Sequence, residues 1–134
     1  NQIDIVDHIW QCLNDIQVDR IDHGINALED DSLCAEIARR GLGLTVCPVS
    51  NRFVVQSLTT KEIKSMLQKG MKATINSDDP GYFRAYLTDN FLALTEEAEF
   101  SREEIRQLNA NAFETSWLST ERKKFYLEQV NRFT

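Results

Sequence analysis

The stretch MKATINSDDP, residues 71–80, combines a short β-like run with two adjacent carboxylates and a proline. Gly70 closes the segment before it, and Ala73-Thr74-Ile75 is the small and β-branched centre expected of a strand. Asp78 and Asp79 then stand where the chain has to turn. Neighbouring like charges repel, and a turn needs one aspartate rather than two. The pair is therefore either an acidic turn that caps the next helix, with Pro80 tolerated in its first turn, or part of a site that requires negative charge.

The same order of elements recurs upstream. VDRIDHG (18–24) is a β-branched run ending in Gly24, and the acidic LEDD then leads into SLCAEIARRG. There Leu33, Ile37 and Ala38 fall at helical spacing and Gly41 marks the stop. LGLTVCP (42–48) is a second strand closed by Pro48, and VSNRFVVQSL reads as a loop. In TTKEIKSMLQKG, Thr59 and Glu62 have the spacing of a capping box and Gly70 ends the helix. Three strand–helix units in series predict an α/β fold with a parallel sheet. Helices are expected over roughly 84–98, over 102–117 behind a capping box of Ser101 and Glu104, and over 120–132. Before the first strand, IVDHIWQCLNDI places Ile5, Ile9, Trp10, Leu13 and Ile16 on one apolar face of a helix. No linker or low-complexity segment interrupts this order, so residues 1–134 are expected to form one domain.

Composition narrows the function classes. The net charge of −6 argues against a phosphate-backbone binder, which usually carries a basic excess, and so against nucleic acid as a partner. No apolar run approaches the roughly 20 residues that span a bilayer, and the start, NQIDIVD, has neither a basic region nor an apolar signal segment. Cys12, Cys34 and Cys47 are odd in number and lack C-x-x-C spacing, which fits isolated thiols in a reducing cytoplasm. A first residue other than methionine is expected of a processed chain or of a piece of a longer one.

In parallel β/α folds ligands bind at the carboxyl ends of the strands. Those ends carry His23; then Cys47-Pro48 with Ser50 and Asn51; then Asn76, Ser77, Asp78 and Asp79. Each has an ordinary alternative: His23 as a structural histidine bonded to a carboxylate, Cys47 as packing, Asp22 and Asp30 as turn or capping groups, Asp79 as a helix cap. His8 reads as a helix-surface residue. Taken together, one aspartate suits a divalent metal while its neighbour accepts a substrate hydrogen bond. The imidazole suits a proton at a metal-activated water, and a bound cation would relieve the repulsion within the aspartate pair.

DRIDHG (19–24), TVCPVSN (45–51) and TINSDDPGYF (74–83), in this order and with YLTDNF (86–91) behind them, resemble the C-terminal part of the zinc-dependent adenosine and adenine deaminases of the amidohydrolase superfamily. The resemblance extends over nearly the whole chain and leans towards the adenine type. It implies the last three β/α units of a (β/α)8 TIM barrel plus C-terminal helices. The implied reaction is hydrolytic deamination of adenine to hypoxanthine and ammonia by a zinc-bound hydroxide. His23 corresponds to the catalytic histidine that polarises the water, Asp78 to a zinc ligand, and Asp79 to the residue that hydrogen-bonds a purine ring nitrogen. The implied cofactor is one zinc ion and the implied partner a small purine.

The resemblance also implies features that this sequence lacks: an H-x-H pair, a further zinc-binding histidine and the H-A-G-E motif, whereas only His8 and His23 are present. A complete barrel takes about 250 residues. The chain alone is therefore expected to be inactive and to expose open sheet edges prone to self-association. Two alternatives stand beside this reading. One is an adenosine deaminase of the same family; the other is a non-catalytic interaction module that uses the exposed edge or the apolar face of ERKKFYLEQVNRF.

Overall fold

A computed structural model describes residues 5–132. Three parallel strands, β1 (Arg20–Asp22), β2 (Gly43–Val46) and β3 (Lys72–Ile75), lie in the order β1-β2-β3. Because the strands run parallel, each crossover has to return over the sheet, and it does so through helices. After β1 come a 3₁₀ segment (Ile25–Glu29) and α2 (Asp31–Arg40); after β2 come α3 (Pro48–Val55) and α4 (Thr60–Gln68). Helix α1 (Ile5–Gln11) precedes the sheet, and α5 (Pro80–Phe83), α6 (Leu87–Glu97), α7 (Arg102–Glu114) and α8 (Thr120–Arg132) follow it. The expected α/β class with a parallel sheet and trailing helices is what the chain forms.

Register explains the core. Leu44 pairs with Ala73 and Val46 with Ile75, so four apolar side chains share one face of the sheet. Leu33 and Ile37 of α2 and Ile63 and Met66 of α4 pack into the same buried cluster. Asp30 starts α2 by accepting hydrogen bonds from the backbone of Ser32 and Leu33, and Gly41 ends it in the left-handed region at φ 67°. The capping box of Ser101 and Glu104 opens α7 as expected.

The outer edge of β3 is not bare. Asn76 N–H donates to Val46 O, so even-numbered positions of β3 address β2 and Ala73 turns its carbonyl outward. There it accepts a 2.9 Å hydrogen bond from Asn111 Nδ2 of α7, both residues being buried. The outer edge of β1 has no strand partner among the described residues.

Four local expectations change. Residues 49–55, expected as part of a loop, are helical, because Pro48 starts the helix in its first turn and Asn90 Oδ1 accepts the free Val49 N–H. Phe53, Val54 and Val55 are exposed, so this helix lacks the buried stripe by which helices are recognised. Thr59 does not form the expected capping box. It adopts φ 57°, and its hydroxyl donates to Leu58 O and accepts from Asn51 Nδ2, so it precedes α4 without capping it through its side chain. In the first helix Ile9 and Leu13 are buried but Ile5, at its first turn, and Ile16, at the end of a π-helical turn over Cys12–Ile16, are exposed. The helix expected over roughly 84–98 forms as α6, Leu87–Glu97, and starts later than expected because Arg84, left-handed at φ 52°, closes the separate short helix α5 ahead of it.

Candidate functional site

The three strands end at one edge of the sheet. His23 follows β1, its N–H donating to Thr45 O so that the ladder runs one residue past the strand. The backbone then turns through left-handed conformations at His23, φ 57°, and Gly24, φ 76°. Glycine is required at position 24, since a Cβ there would lie 2.5 Å from Leu44 Cδ2. Cys47 follows β2 and leads into α3, whose first turns carry Ser50 and Asn51. Beyond β3, Asn76 Nδ2 bonds Thr74 Oγ1 at 2.8 Å, and Asp78 is left-handed at φ 58°.

These turns bring separate strand ends together. His23 Nε2 lies 3.8 Å from Asp78 Oδ2, with both side chains partly solvated at 46% and 36% exposure. Buried Ser50 donates a 2.7 Å hydrogen bond to that same Asp78 oxygen. Asp79 Oδ1 accepts from Tyr82 N–H at 3.0 Å and so caps α5. The capping alternative therefore holds for this residue and fixes its carboxylate beside Asp78. Two adjoining hollows share His23 and Asp78. One, of about 510 Å³, includes Thr45, Cys47 and Asn76; the other, of about 450 Å³, includes Ser50, Val54, Asp79 and Phe83. A further hollow of about 340 Å³ is lined by Phe100, Ile105 and Val130 and, among the described residues, by no carboxylate, imidazole or thiol.

His23, Cys47 and Asp78 offer donor atoms within 4.8 Å of one another, the one such group of three among the described residues. Imidazole and carboxylate are ordinary zinc donors. Cys47 differs: burial first, then the Asp78 carboxylate, pushes its thiol up to about 12, against an opposing hydrogen bond with the Asp78 backbone. It stays protonated at neutral pH and donates to Thr45 O, which matches the packing role expected of it. Asp78 thus fits a metal as ligand with His23 beside it, while a catalytic zinc requires at least three protein ligands. The described residues supply part of such a set.

The other candidates lie where ordinary chemistry places them. Asp22 Oδ1 accepts from Thr45 Oγ1 at 2.8 Å. Asp30 caps α2, and its carboxyl is held below the usual range chiefly by Trp10 Nε1–H. His8 is exposed on α1. Asn90 and the bond from Ser50 to Asp78 had no role in the sequence reading; the serine of CPVSN and the asparagine in YLTDNF are the only traces of them.

Polar groups from three strand ends, gathered at the carboxyl edge of a parallel β/α sheet, define the class: a β/α fold with its candidate site at the edge where such folds bind ligands. The sequence model of the adenosine deaminase family matches residues 5–133, and the chain belongs to that family. An adenine deaminase of Marinomonas sp. (strain MWYL1) is 45% identical over 127 residues, which is 93% of this chain and 38% of that protein. An uncharacterized deaminase of Schizosaccharomyces pombe is likewise 45% identical over 127 residues, covering 94% and 38%. The crystal structure of adenine deaminase from Arthrobacter aurescens superposes with a TM-score of 0.88 at 37% identity, over 95% of this chain and 39% of that one. An amidohydrolase from Burkhoderia ambifaria, crystallised with bound Zn, shares the fold at 21% identity and a TM-score of 0.79, over 93% and 36%. The chain thus spans less than two fifths of the length of these relatives. The TIM-barrel neighbours confirm the expected barrel architecture, with this chain matching part of it.

Proposed function

We propose that the protein is a zinc-dependent hydrolase that converts adenine and water to hypoxanthine and ammonia, and that this chain contributes three of its working groups. Asp78 is the zinc ligand, His23 handles the proton of the attacking water, and Asp79 hydrogen-bonds a purine ring nitrogen. The observation that carries the reading is the approach of His23 Nε2 to Asp78 Oδ2, 3.8 Å apart from different strand ends. A bound zinc would supply a water of lowered pKa at this edge. The chain's own residues do the rest. The imidazole, partly solvated, holds or passes a proton, and the capped Asp79 carboxylate orients the base against it. Support for adenine as substrate comes from relatives named adenine deaminase at 38–45% identity and from the solved adenine deaminase at 37%. The family description favours adenosine as the second reading.

The test is an ultraviolet assay of purine bases and nucleosides on the protein expressed from its own gene, with its zinc content measured alongside. Turnover of adenine with about one zinc per chain supports the proposal. Preference for adenosine transfers the assignment to the second reading, and neither zinc nor turnover overturns both. Further parts of the proposal concern the 134-residue chain itself. By itself it is inactive, because only one of its two histidines stands at the site; adenine turnover by that purified chain with added zinc would refute this. Its self-association, read by light scattering, is assigned to the outer edge of β1, since Asn111 occupies that of β3. Its three unpaired thiols favour a cytoplasmic setting. Among the described residues no helix is long and apolar enough to cross a membrane.

A further inference from the structure

We infer that Ser50 and Asn90 form a positioning relay that sets the metal-side carboxylate of Asp78 from the opposite side of the β2–α3 turn. The inference rests on the assignment of Asp78 as zinc ligand. It begins with a fully buried polar side chain. Asn90, in the first turns of α6, accepts a 3.0 Å hydrogen bond from Val49 N–H through Oδ1 and donates a 2.9 Å bond to Tyr86 O through Nδ2. It thereby pins the start of α3 to α6 across 41 residues of sequence. Val49 is the residue directly before Ser50, so fixing its backbone fixes where the serine side chain starts.

Ser50 is itself buried, and its hydroxyl meets Asp78 Oδ2 at 2.7 Å. That oxygen also faces His23, so Oδ1 is left without a hydrogen-bond partner among the described residues. Asn51, next along α3, is buried and tied to Thr59 Oγ1 at 3.0 Å, which holds the same turn from its other side. A carboxylate on a left-handed residue at a strand end has few packing contacts to orient it. The serine hydroxyl supplies that orientation, and a hydrogen bond to an ionised acceptor is the stronger kind. Groups that orient metal ligands in this way typically contribute about 10–100-fold to metal affinity.

The experiment measures zinc affinity by competition with a chromogenic chelator, with kcat and KM for adenine recorded in parallel, on the protein expressed from its own gene. The variants are Ser50→Ala, Ser50→Thr, Asn90→Leu and the Ser50→Ala/Asn90→Leu double. Ser50→Ala should bind zinc about 10–100-fold more weakly while its melting temperature stays close to that of the parent. Ser50→Thr, which retains the hydroxyl, should recover most of that loss. Asn90→Leu should weaken zinc in the same direction, and the double variant should be no weaker than the worse single, as members of one chain of contacts are not additive. Unchanged zinc affinity in Ser50→Ala, equal loss in Ser50→Ala and Ser50→Thr, or full additivity in the double would each overturn the relay. Should Asn90→Leu fail to fold, the Ser50 pair decides alone. A parent protein without zinc refutes the assignment of Asp78, whereas a zinc-bound parent matched by Ser50→Ala refutes only the relay.

Discussion

Asn111→Leu tests the account of the sheet edge most directly. Asn111 is 2% exposed, and its Nδ2 is the group that meets Ala73 O on the side of β3 facing away from β2. Its Oδ1 accepts from Gln107 Nε2, which is less buried and regains water on losing the bond. Leucine has the same branching and number of side-chain heavy atoms and is somewhat bulkier, so no cavity opens and the main cost is the orphaned carbonyl. A buried acceptor left unpaired costs about 1–3 kcal/mol, and the lost Gln107 bond adds little. The expected destabilisation is about 2 kcal/mol, or roughly 6–10 °C in melting temperature for a chain of this length. Urea unfolding followed by circular dichroism, with the slope m compared between parent and variant, reads the free energy and checks that the unfolded state is unchanged. Gln107→Lys, whose ammonium can still donate to Asn111 Oδ1, serves as control and should stay within about 0.5 kcal/mol. A midpoint for Asn111→Leu that coincides with the parent's at equal m would show that the Ala73 carbonyl does not depend on Asn111, and the edge argument would fail.

Further outcomes are expected elsewhere. Gly43→Ala would place a Cβ 2.5 Å from Thr115 Oγ1, which is already committed to Asn111 O, and should cost about 1–3 kcal/mol in the same unfolding assay. Asp79→Ala removes the cap on Tyr82 N–H at a cost of about 0.5–2 kcal/mol, whereas Asp79→Asn keeps the cap; under the proposed role the asparagine variant should still raise KM for adenine. His23→Ala should lower kcat by about 10²–10⁴ with bound zinc unchanged, and loss of zinc with kcat retained would contradict the assignment. The Glu36 carboxyl is held down to about 2, first by hydrogen bonds from Arg39 and then from Arg40. Its folded value lies below the unfolded one, so its contribution is complete above about pH 4.5 and is lost as pH falls towards 2. Parent and Glu36→Gln should therefore differ in melting temperature at pH 6 and converge near pH 2.

Elements with strong local signals were legible in the sequence. Asp30 and Gly41 bracket α2, Ser101 and Glu104 open α7, and the small or β-branched runs at 43–46 and 72–75 became strands. Helix α3 was not legible, because its start is fixed by Asn90 from a distant helix and its apolar residues face outward. Thr59 misled for a related reason: its hydroxyl is engaged by Asn51 and Leu58 O, contacts that no local pattern reports. At the site, sequence placed His23, Asp78 and Asp79 at strand ends, since parallel topology alone requires it. It could not show that Ser50 reaches Asp78, because that contact depends on how α3 leaves Cys47.

The left-handed backbone at His23 and Asp78 has a consequence for how this protein responds to selection. Non-glycine residues held in that region cost the fold about 1–3 kcal/mol each, and glycine would remove the penalty at either position. Both positions are thus standing invitations to a stabilising mutation, and accepting either one would erase the imidazole or the carboxylate. A library screened for thermal survival alone should enrich glycine at 23 and 78, whereas one screened for turnover should keep both residues. The distance between those two outcomes measures how much stability the site holds in reserve against its chemistry.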